Sequence, residues 1–218
     1  MSASAHVDRK APVERIQLDA GSWVDVVRKF APESDALFED LRDNLAWSQG
    51  SSIREGRKIP DPRLGASLGV DATSRIPILH FTRLVLEARY RIRLGGVGLV
   101  LYRNGRDSVG FHSDDEMRWL DNTIVAGLVL GAERPVSMVP RRPPSPEREA
   151  ARRNIMLGAG DLYVMGGRAQ ADWLHAVPKV EESGPRISAI WRWTSRQGPP
   201  WSSPTHFVPD APRKRYWR

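Results

Sequence analysis

The first residues that suggest chemistry are His112 and Asp114 in the segment GFHSDDE. A spacing of two places both side chains on the same face of a β-strand, where they can bind one metal ion together. The same His-x-Asp spacing occurs at His6 and Asp8, in a polar arm without a surrounding apolar pattern. The pair alone is therefore a weak signal, and a surface turn or a hydrogen-bonded core histidine is the alternative interpretation.

A third group, His175 in DWLHAVPK, strengthens the metal hypothesis. Two histidines and one carboxylate are the ligand set of non-haem iron oxygenases, and they leave positions open for a bidentate co-substrate and O2. Arg186 and Arg192 follow in PRISAIWRW, and the period of two places both on one face of a strand. A guanidinium can bind the far carboxylate of 2-oxoglutarate through two hydrogen bonds. In an arginine-rich chain, solvated strand arginines are the alternative.

The first half of the chain is interpreted as mainly helical. Apolar residues recur at helical spacing over residues 23–30 and again over 37–45, which predicts two short helices. Residues 50–69 contain glycines and prolines among charged residues, as in a loop or an irregular hairpin. A further helix is predicted to begin at Pro77 and to end before Gly95.

After Gly98, short β-branched and aromatic runs alternate with turn residues, which predicts a series of strands. The absence of βαβ spacing favours a sandwich or jelly roll over a Rossmann-type sheet, so we expect an α+β fold. The basic, Pro-rich residues 141–153 are predicted to form a surface loop. Residues 1–18 are interpreted as a flexible arm or an edge strand, and residues 197–218 as an extended, weakly structured tail. The predicted strands are GLVLYR, TIVAGLVLG, PVSMV, NIML, DLYVMG, DWLHAV and RISAIWRW.

The composition of the 218 residues indicates one globular domain. No stretch approaches the roughly 18 apolar residues of a membrane span. There are no cysteines and no secretory signal, so we expect a cytoplasmic location and no membrane partner. A net charge of +7 and a pI near 10.2 favour a polyanionic partner such as DNA or RNA. Arginine greatly outnumbers lysine, as GC-rich coding also produces, so the charge is a modest argument.

The segment LYRNGRDSVGFHSDDE resembles the core motif of the AlkB family of nucleic-acid dealkylases. Later features follow in the family's order, and the match covers roughly residues 59–192; these features are MGG, Gln170, Trp173, HAVPK and R-x5-R. The resemblance implies a double-stranded β-helix (jelly-roll) core over residues 95–195. It also implies an N-terminal extension with helices and a nucleotide-recognition lid over residues 1–94, and a basic tail over 196–218.

The resemblance further implies that Fe(II), 2-oxoglutarate and O2 are used. Carried over by position, the iron ligands, which are also the catalytic residues, are His112, Asp114 and His175. The residues that contact 2-oxoglutarate or brace its pocket are Tyr102, Arg186 and Arg192.

For the substrate side, the resemblance implies that Asp115 and Glu116 face the target base, although both can equally be solvated. Trp47 corresponds to an aromatic residue that stacks on the base, and a core tryptophan is the alternative. Arg63 lies in IPDPRLGASLG, which resembles the lid motif of the family. We expect these residues, together with Arg54 and Arg57, to contact the substrate.

Several positions depart from the family pattern. Val100 and Ser188 occupy positions that are often asparagine, and Ile190 replaces a frequent threonine. Ser67 and Leu68 stand where the lid motif usually carries aromatic residues. These changes leave the proposed iron ligands intact, so they affect the expected substrate more than the expected reaction class.

The sequence therefore predicts oxidative dealkylation of N-alkylated bases in DNA by a monomer with a nucleic-acid partner. Three alternatives remain open at this point. They are dealkylation or hydroxylation of RNA or tRNA bases, hydroxylation of a small molecule on the same scaffold, and a non-catalytic basic binding module.

Overall fold

The computed structural model describes residues 6–54, 56–114, 117 and 119–195. The predicted tail lies outside the described residues, as do the candidate residues Asp115 and Glu116. The strands within the described part are β1 (Glu14–Gln17), β2 (Ser22–Val27), β3 (Ser48–Arg54), β4 (Arg57–Leu68), β5 (Val97–Tyr102), β6 (Val109–His112), β7 (Thr123–Gly131), β8 (Arg134–Pro140), β9 (Arg153–Leu157), β10 (Leu162–Gly167), β11 (Trp173–Val177) and β12 (Arg186–Thr194). The helices are α1 (Asp35–Asn44), α2 (Val70–Ser74), α3 (Pro77–Tyr90), α4 (Pro146–Ala150) and α5 (Ala169–Asp172).

The described strands form two antiparallel sheets that share an apolar core, as in the expected jelly roll. The larger sheet has the strand order β1-β2-β10-β7-β12-β5-β4-β3, and the smaller has the order β6-β11-β8-β9. Strands β1 to β4 from the first third of the chain therefore hydrogen-bond into the same sheet as the central strands β5, β7, β10 and β12.

The larger sheet buries both of its faces. Leu128 and Leu162 pack on one face, in the core that α1 and α3 also line. Their chain neighbours Val129 and Tyr163 pack on the other face, where the smaller sheet contributes Met138. Because successive strand residues point to opposite faces, every second residue of the central strands lies between the two sheets. The candidate functional residues lie on this inner face.

The helix predicted at residues 23–30 is wrong. Ser22–Val27 form strand β2, which hydrogen-bonds to β1 on one side and to β10 on the other. Both faces of the strand are covered, so its apolar residues form a nearly continuous run that imitates helical spacing. The β-branched residues Val24, Val26 and Val27 are the local signal that favours a strand.

The first half is also less helical than predicted, because it contains strands β1 to β4, but the predictions for its other segments are confirmed. Helix α1 buries Leu37 and Leu41, and the segment 50–69 belongs to the hairpin of β3 and β4. Helix α3 begins at Pro77, and it ends where Arg91 adopts a left-handed backbone with φ 54°. The polar segment before β2 contains the edge strand β1.

The strands predicted after Gly98 are also confirmed within one or two residues of their ends. The segment 141–153 is a surface loop only in part, because it contains α4. The Ser145 hydroxyl accepts a hydrogen bond from the backbone N–H of Arg148 at 3.1 Å, and the Arg148 side chain is buried. This capping contact explains how a Pro-rich segment can begin a short helix.

None of the described helices has the length and apolar character that a bilayer crossing requires.

Candidate active site

The predicted metal ligands come together at the smaller sheet. His112 ends strand β6, His175 lies on β11, and the two residues are directly opposed in the antiparallel register. Their ring centroids are 4.3 Å apart. Asp114 follows His112 by two residues, and potential ligand atoms from all three residues lie within 4.8 Å of one another. This arrangement can hold one metal ion.

The hydrogen bond of His112 orients its ring for metal binding. Its Nδ1 lies 2.9 Å from the main-chain oxygen of Gly110. Because a carbonyl oxygen can only accept a hydrogen bond, Nδ1 carries the proton. The lone pair of Nε2 is then available to a metal, and this atom lies 3.8 Å from Oδ1 of Asp114.

The Asp114 carboxylate is buried and held by two other side chains. Arg192 donates to both of its oxygens, with distances of 2.9 Å from Nε to Oδ2 and 3.2 Å from Nη2 to Oδ1. The side-chain oxygen of the fully buried Gln170 accepts the backbone N–H of Asp114 at 3.0 Å. Burial alone would raise the pKa of Asp114, but Arg192 and then His175 hold it well below its ordinary value. Asp114 is therefore ionised at neutral pH, as a metal ligand must be.

The environment of His175 keeps its ring neutral. Burial, with a further contribution from His112, lowers the pKa of His175 to about 3. A neutral imidazole is the form that binds a metal ion, so His175 needs to lose no proton before it can act as a ligand.

Arg186 lies at the start of β12 and is fully buried. Its Nη1 donates to the main-chain oxygens of Arg134 at 3.1 Å and Leu157 at 2.7 Å. Its Nη2 is buried without a hydrogen-bond partner among the described residues. Burial lowers the pKa of Arg186, but the ordinary value is so high that the group remains charged. A buried cation with an unused donor is complementary to a carboxylate.

Tyr102 and Arg134 complete this end of the site. Tyr102 is buried and lies directly opposite Arg186 in the register of β5 and β12. The Arg134 guanidinium lies 5.3 Å from the centroid of the Tyr102 ring, and its Nη2 donates to the main-chain oxygen of Asp107 at 2.9 Å. Sequence reasoning missed Arg134, since an arginine beside Pro135 at the start of a strand is typical of an exposed position. Its complete burial is the feature that identifies it.

The two other substrate-side candidates occupy different environments. Arg63 on β4 donates from Nη1 to the main-chain oxygen of Ser108 at 3.3 Å. Burial raises the pKa of the Tyr102 phenol, and the nearby positive charge of Arg63 partly opposes this rise. Trp47 donates its indole N–H to two main-chain carbonyls at the C-terminal end of α1 and packs against the helix-lined core. These contacts match the alternative interpretation of Trp47 as a core residue.

The departures from the family motif also have defined places. Val100 and Ser188 lie directly opposite each other on β5 and β12, and the Ser188 hydroxyl is 3.5 Å from Nε of Arg186. Leu68 packs against the helix-lined core, whereas Ser67 is exposed. On the inner face of β12, between Arg186 and Arg192, this chain therefore has the hydroxyl of Ser188 at a position that is often an asparagine in the family.

Comparisons with known proteins agree with this geometry. Residues 96–208 match the model of the 2OG-Fe(II) oxygenase superfamily. The chain is 35% identical over 208 residues to human alpha-ketoglutarate-dependent dioxygenase alkB homolog 3, and the match covers 87% of this chain and 70% of the human protein. The chain is an AlkB-type member of this superfamily. The bovine homolog 3 is also 35% identical, over 175 residues that cover 73% of this chain and 61% of the bovine protein.

This AlkB-type chain is also similar to more distantly related proteins. The Arabidopsis thaliana DNA oxidative demethylase ALKBH2 is 26% identical over 213 residues, covering 81% of this chain and 68% of that protein. The solved structure of OsALKBH1 superposes with a TM-score of 0.56 at 12% identity, over 84% of this chain and 100% of that chain. The predicted family and the jelly-roll fold are therefore confirmed.

This AlkB-type chain is an Fe(II)- and 2-oxoglutarate-dependent dioxygenase, and its cofactors are Fe(II), 2-oxoglutarate and O2. The residues present fit these groups. Two histidines, with His175 kept neutral, and the ionised Asp114 suit Fe(II). The unused Nη2 donor of the buried Arg186 suits one carboxylate of 2-oxoglutarate.

Proposed function

We propose that this oxygenase oxidatively dealkylates N-alkylated bases in DNA. The proposal rests on the assembled site, in which the three ligand groups lie within 4.8 Å of one another beside a buried arginine with an unused donor. The names of its relatives, alkB homolog 3 and DNA oxidative demethylase ALKBH2, supply the substrate class.

Each residue has a defined task in this proposal. His112, Asp114 and His175 hold Fe(II), Arg186 binds the distal carboxylate of 2-oxoglutarate, and Arg192 keeps Asp114 ionised and in place. When bound, the iron, 2-oxoglutarate and O2 would supply the oxidation of the N-alkyl carbon. One oxygen atom of O2 would go to succinate and the other to that carbon, with release of CO2, and the alkyl group would leave as an aldehyde. The protein groups hold and orient the reactants and exclude water, and none acts as a nucleophile.

We assign the nucleotide-recognition lid to the hairpin of β3 and β4. Arg57 and Lys58 lie near its turn and are exposed, while Arg63 lies further along β4, nearer to Tyr102. A base within a duplex cannot reach a buried metal centre, so it must be flipped out or come from a single strand. Exposed cations on a hairpin beside the site are suited to hold the phosphates next to such a base.

Two further arginines pack against β6, where Arg148 is buried and Arg152 is half-buried and paired with Glu149. The guanidinium groups of Arg148 and Arg152 lie 5.8 and 4.9 Å from the ring centroid of Phe111, which precedes His112 in β6. We further propose that Asp115 and Glu116, which directly follow Asp114 in the sequence, are the acidic residues that face the target base. The net charge of +7 supports a polyanionic substrate.

The direct test is succinate release from 2-oxoglutarate by protein purified anaerobically with Fe(II). Methylated and unmethylated oligonucleotides of both sugars are compared at one salt concentration. We expect methylated DNA to stimulate succinate release above the level without substrate, and unmethylated DNA to have no effect.

The other outcomes separate the alternative functions. Stimulation by methylated RNA alone would replace DNA with RNA as the substrate. Steady succinate release that no oligonucleotide increases would favour a small-molecule hydroxylase. A protein that binds oligonucleotides but forms no succinate would be a binding module, and the proposal would then be wrong.

A further inference from the structure

The inner face of β5 and β12 offers few donors to a bound dicarboxylate. Val100 and Ser188 oppose each other there, next to the pair formed by Tyr102 and Arg186. Val100 has no polar group, and Ser188 lies beside Nε of Arg186. Besides Tyr102, Arg186 and the Ser188 hydroxyl, a further donor to the same carboxylate can come from a neighbouring strand.

Tyr163 on β10 projects into this space. It lies opposite Gly127 of β7, which in turn lies opposite Ile190 of β12. A Cβ atom on Gly127 would be 2.3 Å from Cε1 of Tyr163 and 2.6 Å from its hydroxyl oxygen. The ring thus reaches from β10 across β7 in the direction of β12. It can do so because Gly127 has no side chain.

The Tyr163 phenol is within electrostatic reach of both ends of the site. It interacts electrostatically most strongly with Arg186, then with Tyr102, and more weakly with Asp114 and Arg192. Burial raises the pKa of Tyr163, so the phenol is a neutral O–H donor at physiological pH. Its side chain makes no hydrogen bond to another described residue, and the residue is only 5% exposed.

A phenylalanine at this position would fill the same volume without desolvating a hydroxyl, so packing alone does not account for the tyrosine. The Tyr163 ring extends towards β12 and interacts electrostatically with Arg186, whose buried Nη2 has no hydrogen-bond partner among the described residues, and both the O–H and Nη2 suit an anionic acceptor. We propose that the Tyr163 hydroxyl donates a hydrogen bond to the distal carboxylate of 2-oxoglutarate, beside Arg186. The inference rests on the use of 2-oxoglutarate and is independent of which substrate is oxidised.

The test is the affinity of the Mn(II)-loaded protein for 2-oxoglutarate, measured by isothermal titration calorimetry without O2 or nucleic acid. Mn(II) suits nitrogen and carboxylate ligands and supports the same ligand geometry without turnover. Tyr163→Phe removes only the hydroxyl, and we expect its dissociation constant for 2-oxoglutarate to rise about tenfold or more, as for loss of a hydrogen bond to a charged acceptor. The affinity for Mn(II) itself should not change.

Two comparisons make the result specific. Tyr90→Phe removes a phenol at the end of α3, outside the site, that donates a hydrogen bond to Asp25. The affinity of this variant for 2-oxoglutarate should therefore equal that of the wild type. Pyruvate carries the same keto acid group without the distal carboxylate, and Tyr163→Phe should bind it as the wild type does. An unchanged affinity for 2-oxoglutarate, or an equal loss for both ligands, would overturn the proposal. Thermal melting verifies that the Tyr163→Phe protein is folded.

Discussion

The cofactor side of the site and its substrate side are built in different ways. Asp114 and Arg186 are buried on the inner face of the jelly roll and held by hydrogen bonds from several strands. Arg57 and Lys58, on the proposed lid, are exposed near the turn of a hairpin at the edge of the larger sheet. Geometry is therefore fixed on one side, while the other can adapt to a phosphate backbone.

This difference predicts how the two sides respond to mutation. A buried ligand or ion pair depends on its partners, so the loss of one member leaves an uncompensated group in a dry environment. Exposed charges act independently and are screened by salt, so each contributes little. The loss of activity or binding on mutation should therefore be largest at the metal ligands and smallest on the lid.

The largest effect is expected at the metal ligands. His175→Ala removes a buried ligand, and activity should fall by more than about 100-fold, beyond the 10- to 100-fold loss typical of residues that only support a ligand. The measurement is succinate release at saturating Fe(II) and 2-oxoglutarate. His6→Ala with Asp8→Ala is the matched control, because this pair has the same spacing outside the site and should retain full activity. Full Fe(II)-dependent activity in His175→Ala would contradict the assignment.

A smaller effect is expected for Arg192, the partner of Asp114. Without its cation, burial raises the pKa of Asp114, so protons compete with the metal at higher pH. Arg192→Gln should weaken metal binding by roughly 10- to 100-fold and shift the acid limb of the pH profile upward. Mn(II) titrations across a pH series test this. A profile that coincides with that of the wild type would show that Arg192 does not support Asp114.

Arg186→Lys should affect 2-oxoglutarate and leave metal binding unchanged. Lysine keeps the charge but has a single nitrogen, so it cannot both replace the Nη1 hydrogen bonds to Arg134 and Leu157 and make the Nη2 contact to the carboxylate. We expect the apparent Michaelis constant for 2-oxoglutarate to rise by roughly tenfold or more, with Mn(II) affinity unchanged. A Michaelis constant equal to that of the wild type would exclude the assigned contact.

The smallest effect is expected on the lid. Oligonucleotide binding weakens as salt is added, and the logarithm of the binding constant falls linearly with the logarithm of the salt concentration. In the double variant Arg57→Ala with Arg63→Ala, this slope should be shallower by roughly 0.7 to 0.9 for each phosphate contact that is lost. Binding of a fluorescent oligonucleotide over a salt series measures this slope, for single and double strands. Arg75→Ala with Arg93→Ala alters exposed arginines near α2 and α3 and serves as the control. Equal salt-dependence slopes for the lid variant and the wild type would contradict the assignment of the lid.

The cofactor side was the more predictable from sequence, for a physical reason. A strand places every second residue on one face, so the spacing of His112 and Asp114, and of Arg186 and Arg192, already implies a shared environment. The short β-branched runs also define the strands that carry them. What the spacing cannot show is which partner each residue meets, such as the pairing of Arg192 with Asp114.

Other features depend on contacts between segments distant in the chain. β2 is a strand because β1 and β10 cover both of its edges, and its local apolar pattern fits a helix equally well. Arg134 is buried because main-chain carbonyls accept its hydrogen bonds, although its sequence context favours exposure. Tyr163 gains its position from Gly127 on another strand. None of these relations is local, so single-sequence patterns cannot provide them.

The most direct test of the central claim is mass spectrometry of a DNA oligonucleotide that carries one N-methylated base, combined with quantification of succinate in the same reaction. The account predicts that the oligonucleotide loses one methylene unit in mass, and that one succinate forms for each base restored. Succinate formation with no change in the mass of the oligonucleotide, in the presence of Fe(II) and O2, would contradict it.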